Sequence, residues 1–117
     1  MTVTLYHNPR CSKSRQTLEL IRGLGMEPCV IEYLKTPPSR EQLKEILHLL
    51  GISPRGLLRK GEEEYAALHL DNPLLDDEAI IDAMLAHPRL IERPIVIHQG
   101  KAIIGRPPER VLELLHA

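Results

Sequence analysis

Apolar and polar positions alternate at the start of the chain. Val3-Thr4-Leu5-Tyr6 reads as a strand, and His7-Asn8-Pro9-Arg10 breaks it with turn residues. From about Ser12 to Leu24 the period lengthens to that of a helix, with Leu18, Ile21 and Leu24 as its apolar stripe and Gly25 placed to cap its end. Cys29 to Tyr33 has the β-branched content of a second strand, closed off by Pro37-Pro38. Ser39 followed three residues later by Gln42 is a capping-box pattern. Leu43, Ile46, Leu47 and Leu50 then recur at i, i+3, i+4 and i+7, which predicts an amphipathic helix ended by Gly51. Ser53-Pro54 opens a short helix, with a cap followed by proline at the first helical position. Residues 62–70 and 76–87 also read as helical. Ile81, Met84 and Leu85 form the inner face of the latter, and Pro88 stops it. Ile95-Val96-Ile97 and Ala102-Ile103-Ile104 flank His98-Gln99-Gly100-Lys101, a hairpin signal. Pro107-Pro108 opens a last helix buried through Val111, Leu112 and Leu115.

The resulting order is β-α-β-α, a helical insert at about 53–90, then β-β-α. It is similar to a thioredoxin-like α/β fold, a mixed four-stranded sheet flanked by helices, with the helices inserted before the third strand. A generic α/β sandwich is the alternative. A chain of 117 residues suits one domain with a single core. With no Phe and no Trp, that core must be built from Leu, Ile and Val.

Composition narrows the function classes. A net charge of −1 gives no reason to expect non-specific nucleic-acid binding, and no apolar run approaches the ~18 residues that span a bilayer. The first ten residues lack the basic and apolar regions of a signal peptide, so a cytoplasmic protein is expected. Two cysteines without a C-x-x-C make neither a disulfide framework nor a structural zinc site. His48, His69, His87, His98 and His116 show no metal-ligand spacing and read as surface or interfacial residues. Glu62-Glu63-Glu64 reads as a solvated helix start.

Chemistry points to Cys11, where the first strand hands over to the first helix. A helix N-terminus offers unpaired N–H groups and partial positive charge, and Arg10, Lys13 and Arg15 lie within a few residues. Such surroundings favour thiolate over thiol, and the same N-terminus is a seat for an anion. His7, the nearest titratable base, either helps to activate the sulfur or only ends the strand. In Cys11-Ser12-Lys13-Ser14 the last position, where dithiol oxidoreductases carry a resolving cysteine, is serine. A single nucleophilic sulfur needs an outside thiol such as glutathione. Cys29 opens the second strand behind a helix spanning roughly 20 Å, beyond the reach of a disulfide to Cys11, and is expected to be a core residue.

The stretch His7-Asn8-Pro9-Arg10-Cys11-Ser12-Lys13-Ser14-Arg15 resembles the cysteine loop of the glutaredoxin-coupled, thioredoxin-fold arsenate reductases. The resemblance continues through Tyr33-Leu34, Pro37-Pro38-Ser39-Arg40, Gly51-Ile52-Ser53, Leu57-Leu58-Arg59-Lys60, Glu92-Arg93-Pro94-Ile95-Val96 and Gly105-Arg106-Pro107. It implies that Cys11 is the catalytic nucleophile, that His7 supports the thiolate and that Ser14 contacts it. It further implies that Arg59, Arg93 and Arg106 hold the oxyanion and that the peptide bond before Pro94 is cis. Taken alone, the three arginines sit at element boundaries and read equally as solvated surface residues. The implied reaction reduces arsenate to arsenite through a Cys11 thiol–arsenate adduct, with glutathione as co-substrate, glutaredoxin as partner, and no bound metal or organic cofactor. Two rivals share the fold: a glutathione-dependent thiol-disulfide oxidoreductase, and a Spx-type regulator that binds RNA polymerase without catalysis.

Overall fold

A computed structural model describes residues 2–115, and His116 of the histidine set lies outside them. The chain forms two compact units, one from the stretches up to Thr36 and from Arg93 onward, the other Pro37–Glu92.

The first unit holds the sheet. Its strands are β1 (Val3–His7), β2 (Cys29–Glu32), β3 (Ile95–His98) and β4 (Lys101–Ile104), in the order β2-β1-β3-β4. β1 runs parallel to β2 and antiparallel to β3, so the sheet is mixed and thioredoxin-like. α1 (Ser12–Gly23) follows β1, and a 3-10 turn (Pro108–Arg110) leads into a short closing helix. Val3 and Leu5 of β1 and Val96 of β3 share one face and pack with Ile21 of α1 and with Val111, Leu114 and Leu115. Burying an aliphatic side chain completely stabilises a fold by about 1.5–3 kcal/mol, so this layer anchors α1 to the sheet. In the closing helix Leu114 is buried, whereas Leu112 is only partly so. The 3-10 turn changes the helical phase ahead of Val111 and rotates the inner face.

Several local signals are realised in full. Gly25 takes φ +81°, and the Gly25 and Met26 amides donate to Arg22 and Ile21 carbonyls in a Schellman end to α1. Gln99 and Gly100 both have positive φ, the requirement of a two-residue I′ hairpin turn. His98, expected near the surface, is instead buried, with Nδ1 3.3 Å from the Thr2 carbonyl oxygen. The expectation that Cys29 is a core residue is also wrong. It is exposed, because β2 is an edge strand with no neighbour on its outer side. Its pairing with Thr4, near the start of β1, still sets it at the opposite end of the strand from the Cys11 loop.

The second unit is helical: α2 (Arg40–Leu50), a 3-10 turn (Pro54–Leu57), α3 (Glu63–Ala67), α4 (Asp77–Ala86) and a 3-10 turn (Pro88–Leu90). The capping box closes in both directions, Gln42 N–H to Ser39 Oγ at 3.1 Å and Ser39 N–H to Gln42 Oε1 at 2.9 Å. α4 buries Ile80, Ile81, Ala83 and Met84, with Leu85 only partly covered. Leu58 bridges Ile91 in an isolated antiparallel pair that joins the ends of the two 3-10 turns.

One glycine is required by space. A Cβ on Gly105 would stand 2.8 Å from Thr17 Oγ1 and 2.9 Å from Pro94 Cγ, both on buried residues. Gly105→Ala is therefore expected to destabilise the protein by about 1–3 kcal/mol, read as a drop of several degrees in melting temperature. An unchanged melting temperature would mean that this junction yields freely.

Candidate active site

The loop after β1 is built around Asn8, which the sequence reading passed over as a turn residue. Its carbonyl accepts the Cys11 N–H at 3.0 Å, its Oδ1 accepts the Arg10 N–H at 3.0 Å, and its own N–H donates to Ser14 Oγ at 3.1 Å. The Asn8-Pro9 pair is the signal that identifies such a turn. Cys11 is thereby held in an extended conformation as the N-cap of α1. The sulfur closes no formal capping hydrogen bond, yet the amides of Ser14 and Lys13 in the first turn face it and favour its charged form.

Ser14 is fully buried and links the loop to β1. Its Oγ lies 2.6 Å from His7 Nδ1. Burial, opposed by Glu32 and reinforced by Arg15 and Arg22, pushes the His7 pKa below its ordinary value. His7 Nδ1 and Ser14 Oγ share this short hydrogen bond, and Ser14 Oγ also accepts the Asn8 N–H. His7 therefore bonds Ser14 and not the sulfur, and any influence it has on Cys11 passes through the serine.

The cations that reach the sulfur come from distant stretches of chain. Arg106 Nη1 donates to Cys11 Sγ at 3.9 Å and to the Arg93 carbonyl at 3.3 Å. Arg93 acts on the sulfur by hydrogen bond and by charge. Both arginines precede proline through a cis peptide bond, the second of which was not expected. The neighbours in sequence matter less: Arg10, Lys13 and Arg15 are exposed, and Arg15 turns back to the Pro9 carbonyl at 2.9 Å. Partial burial pushes the Cys11 pKa up, the largest single influence. The Ser14 amide, the Arg93 guanidinium and the Lys13 amide together outweigh it, and the net direction is down from the ordinary thiol value. Cys11 is half-buried and still reachable.

Alkylation of Cys11 by iodoacetamide is thus expected to reach its plateau at lower pH than alkylation of a free cysteine, and Arg93→Ala should move that profile upward. Mass spectrometry of the Cys11 peptide across a pH series measures both. A profile indifferent to Arg93 would remove that guanidinium from the thiolate's surroundings.

Arg59 belongs to the second unit, where its Nη1 pairs with Glu92 Oε1 at 2.6 Å. Two of the three glutamates read as solvated are not: Glu62 and Glu64 have side chains only 15% and 20% exposed, and both pair with Arg89. The stretch does open a helix, α3 with Glu62 at its N-cap, but Glu62 and Glu64 are held in an ion-pair cluster. Among the described residues no three His, Cys, Asp or Glu side chains gather as a metal set, and no helix is long and apolar enough to cross a membrane.

Known proteins similar to this chain identify its family. Residues 6–114 match the ArsC family. The chain is 50% identical over 113 residues to an arsenate reductase of Escherichia coli K12, covering 97% of this chain and 80% of that one. It is 52% identical over 114 residues to the uncharacterized protein YfgD of the same organism, covering 97% of this chain and 96% of that one. The solved arsenate reductase of Vibrio cholerae is 52% identical and superposes with a TM-score of 0.94 over 97% of both chains. With a family match across nearly its whole length and half its residues shared with such relatives, the chain belongs to the ArsC family.

Proposed function

We propose that this protein reduces arsenate to arsenite in the cytoplasm, with Cys11 as nucleophile and glutathione and glutaredoxin as the source of electrons. The observation that carries this reading is the Arg106 guanidinium 3.9 Å from the Cys11 sulfur, joined there by Arg93. A nucleophile and planar cation forks around one point suit attack on a tetrahedral oxyanion. Relatives named as arsenate reductases support the choice of oxyanion.

In the proposed reaction, arsenate docks against Arg93 and Arg106, with Arg59 as the third cation implied by the family resemblance. The thiolate attacks arsenic and a protonated oxygen leaves as water, giving a sulfur–arsenic(V) bond. Glutathione sulfur then attacks Cys11 sulfur. The sulfur–arsenic bond breaks, its electron pair stays on arsenic, and arsenite departs. The two sulfurs have together lost two electrons and are joined as a mixed disulfide. Glutaredoxin removes the glutathionyl group and restores the thiol. Ser14, a hydroxyl in place of a second thiol, leaves resolution to the outside donor. A cleft beside the loop, lined in part by Arg10, Glu32 and Lys35, offers two cations and a carboxylate to a zwitterionic tripeptide. Neither a metal nor an organic cofactor takes part in this scheme.

The test mixes the protein with glutathione, glutaredoxin, glutathione reductase and NADPH. Arsenate-dependent NADPH loss supports the reading. Loss only with a glutathionylated protein substrate would replace it with thiol-disulfide exchange. No turnover, together with recovery of RNA polymerase on the immobilised protein, would replace it with a regulatory role.

A further inference from the structure

The turn that carries the nucleophile is closed twice over. Asn8-Pro9-Arg10-Cys11 forms a β-turn, with the Cys11 N–H on the Asn8 carbonyl at 3.0 Å. Asparagine at the first position and proline at the second are residues that such turns favour. Inside it, Asn8 Oδ1 accepts the Arg10 N–H at 3.0 Å, an Asx turn laid over the same backbone. The Arg15 guanidinium holds the Pro9 carbonyl at 2.9 Å from outside. Asn8 also donates its own N–H to Ser14 Oγ, which joins the turn to the first turn of α1. Two of these Asn8 contacts use only the main chain and would survive most substitutions. The Oδ1 bond belongs to the side chain, and that side chain is buried, where a polar group without a partner is costly.

What the turn fixes is the backbone of Cys11, at φ −94° and ψ 122°. That conformation sets the sulfur against the Ser14 and Lys13 amides, while Arg93 and Arg106 face it from other stretches of chain. The amides are anchored in a helix, so their worth to the sulfur depends on where the loop holds it. We propose that the Asn8 side chain is a positioning residue that acts on the reacting sulfur through the turn, its amide oxygen holding Cys11 where the first-turn amides of α1 meet it. The proposal rests on the reading of Cys11 as the nucleophile. Asn8 touches neither the sulfur nor the oxyanion. Without its Oδ1 the turn opens in part of the population, and in that part the thiolate loses its donors.

The experiment compares the parent with Asn8→Ala and Asn8→Ser. Each is alkylated with iodoacetamide across a pH series and the Cys11 peptide is quantified by mass spectrometry, alongside a melting curve. Alanine removes the acceptor. A serine hydroxyl makes the same turn more weakly. For Asn8→Ala the midpoint of the Cys11 profile is expected to rise by about half to one pH unit, a three- to tenfold loss of thiolate below the midpoint. Asn8→Ser should rise by less. A lowered melting temperature with the alanine midpoint unchanged overturns the proposal, because the side chain then serves only the fold. A serine midpoint at or above that of alanine overturns it as well. If the alanine protein does not fold, serine decides alone, and a midpoint at or below the parent's overturns it. No arsenate enters this measurement. A raised midpoint in a protein that does not reduce arsenate would sustain the role of Asn8 and sink the proposed activity.

Discussion

Cys11→Ser is expected to abolish arsenate-dependent NADPH oxidation, a loss of at least about 10⁴-fold, while the circular dichroism spectrum stays that of the parent. Serine keeps the N-cap position and can even improve it, because a hydroxyl is a better cap than a thiol. What it cannot do is ionise near neutral pH or give up electrons. The amides of Ser14 and Lys13 and the Arg93 guanidinium lower the Cys11 pKa toward the working range. The same groups cannot bring an alcohol, several units higher, within reach. The adduct also requires the sulfur to join a disulfide later, for which oxygen has no counterpart. Residual turnover above about a hundredth of the parent rate would show that another group carries the chemistry.

Arg106→Ala should have the next largest effect, a fall of about 10²–10³ in kcat, of the order seen when one donor to a developing oxyanion is removed. Two contacts make this arginine more than a counter-ion. Its Nη1 reaches the sulfur at 3.9 Å and the Arg93 carbonyl at 3.3 Å, so it joins both arginine-bearing loops to the nucleophile. Arg106→Lys should recover only part of the loss, since an ammonium restores the charge without the planar fork. Steady-state kinetics of the two variants measure this. Full activity in Arg106→Ala would place the oxyanion elsewhere.

The parts of this arrangement that are local were legible in the amino-acid order. Ser39 and Gln42 announce a capping box that closes in both directions, and Gln99-Gly100 announces the hairpin turn that forms. Cys11 at the strand-to-helix junction follows from the break at Asn8-Pro9 and the helical period after it. What escaped depends on partners far away in the chain. The exposure of Cys29 follows from β2 lying at the sheet edge, and strand order does not show in periodicity. Glu62 and Glu64 look solvated until Arg89 is brought against them. Spacing along the chain points to Arg10, Lys13 and Arg15 as the sulfur's cations, and only the family resemblance points to Arg93 and Arg106. The fold supplies them from Arg93 and Arg106. Gly105 gave no signal, because its lack of a side chain matters only once Thr17 and Pro94 close on either side.

The edge position of Cys29 has a practical result for the bench. A colorimetric thiol count on the native protein is expected to register two reactive groups, and the Cys11→Ser protein still carries the exposed Cys29 thiol. Maleimide dyes, gold surfaces or oxidising storage will find the outer-strand sulfur whether or not the reaction centre is intact. A Cys29→Ser background separates the two signals, and it keeps covalent dimers formed on the shelf from being mistaken for a product of catalysis.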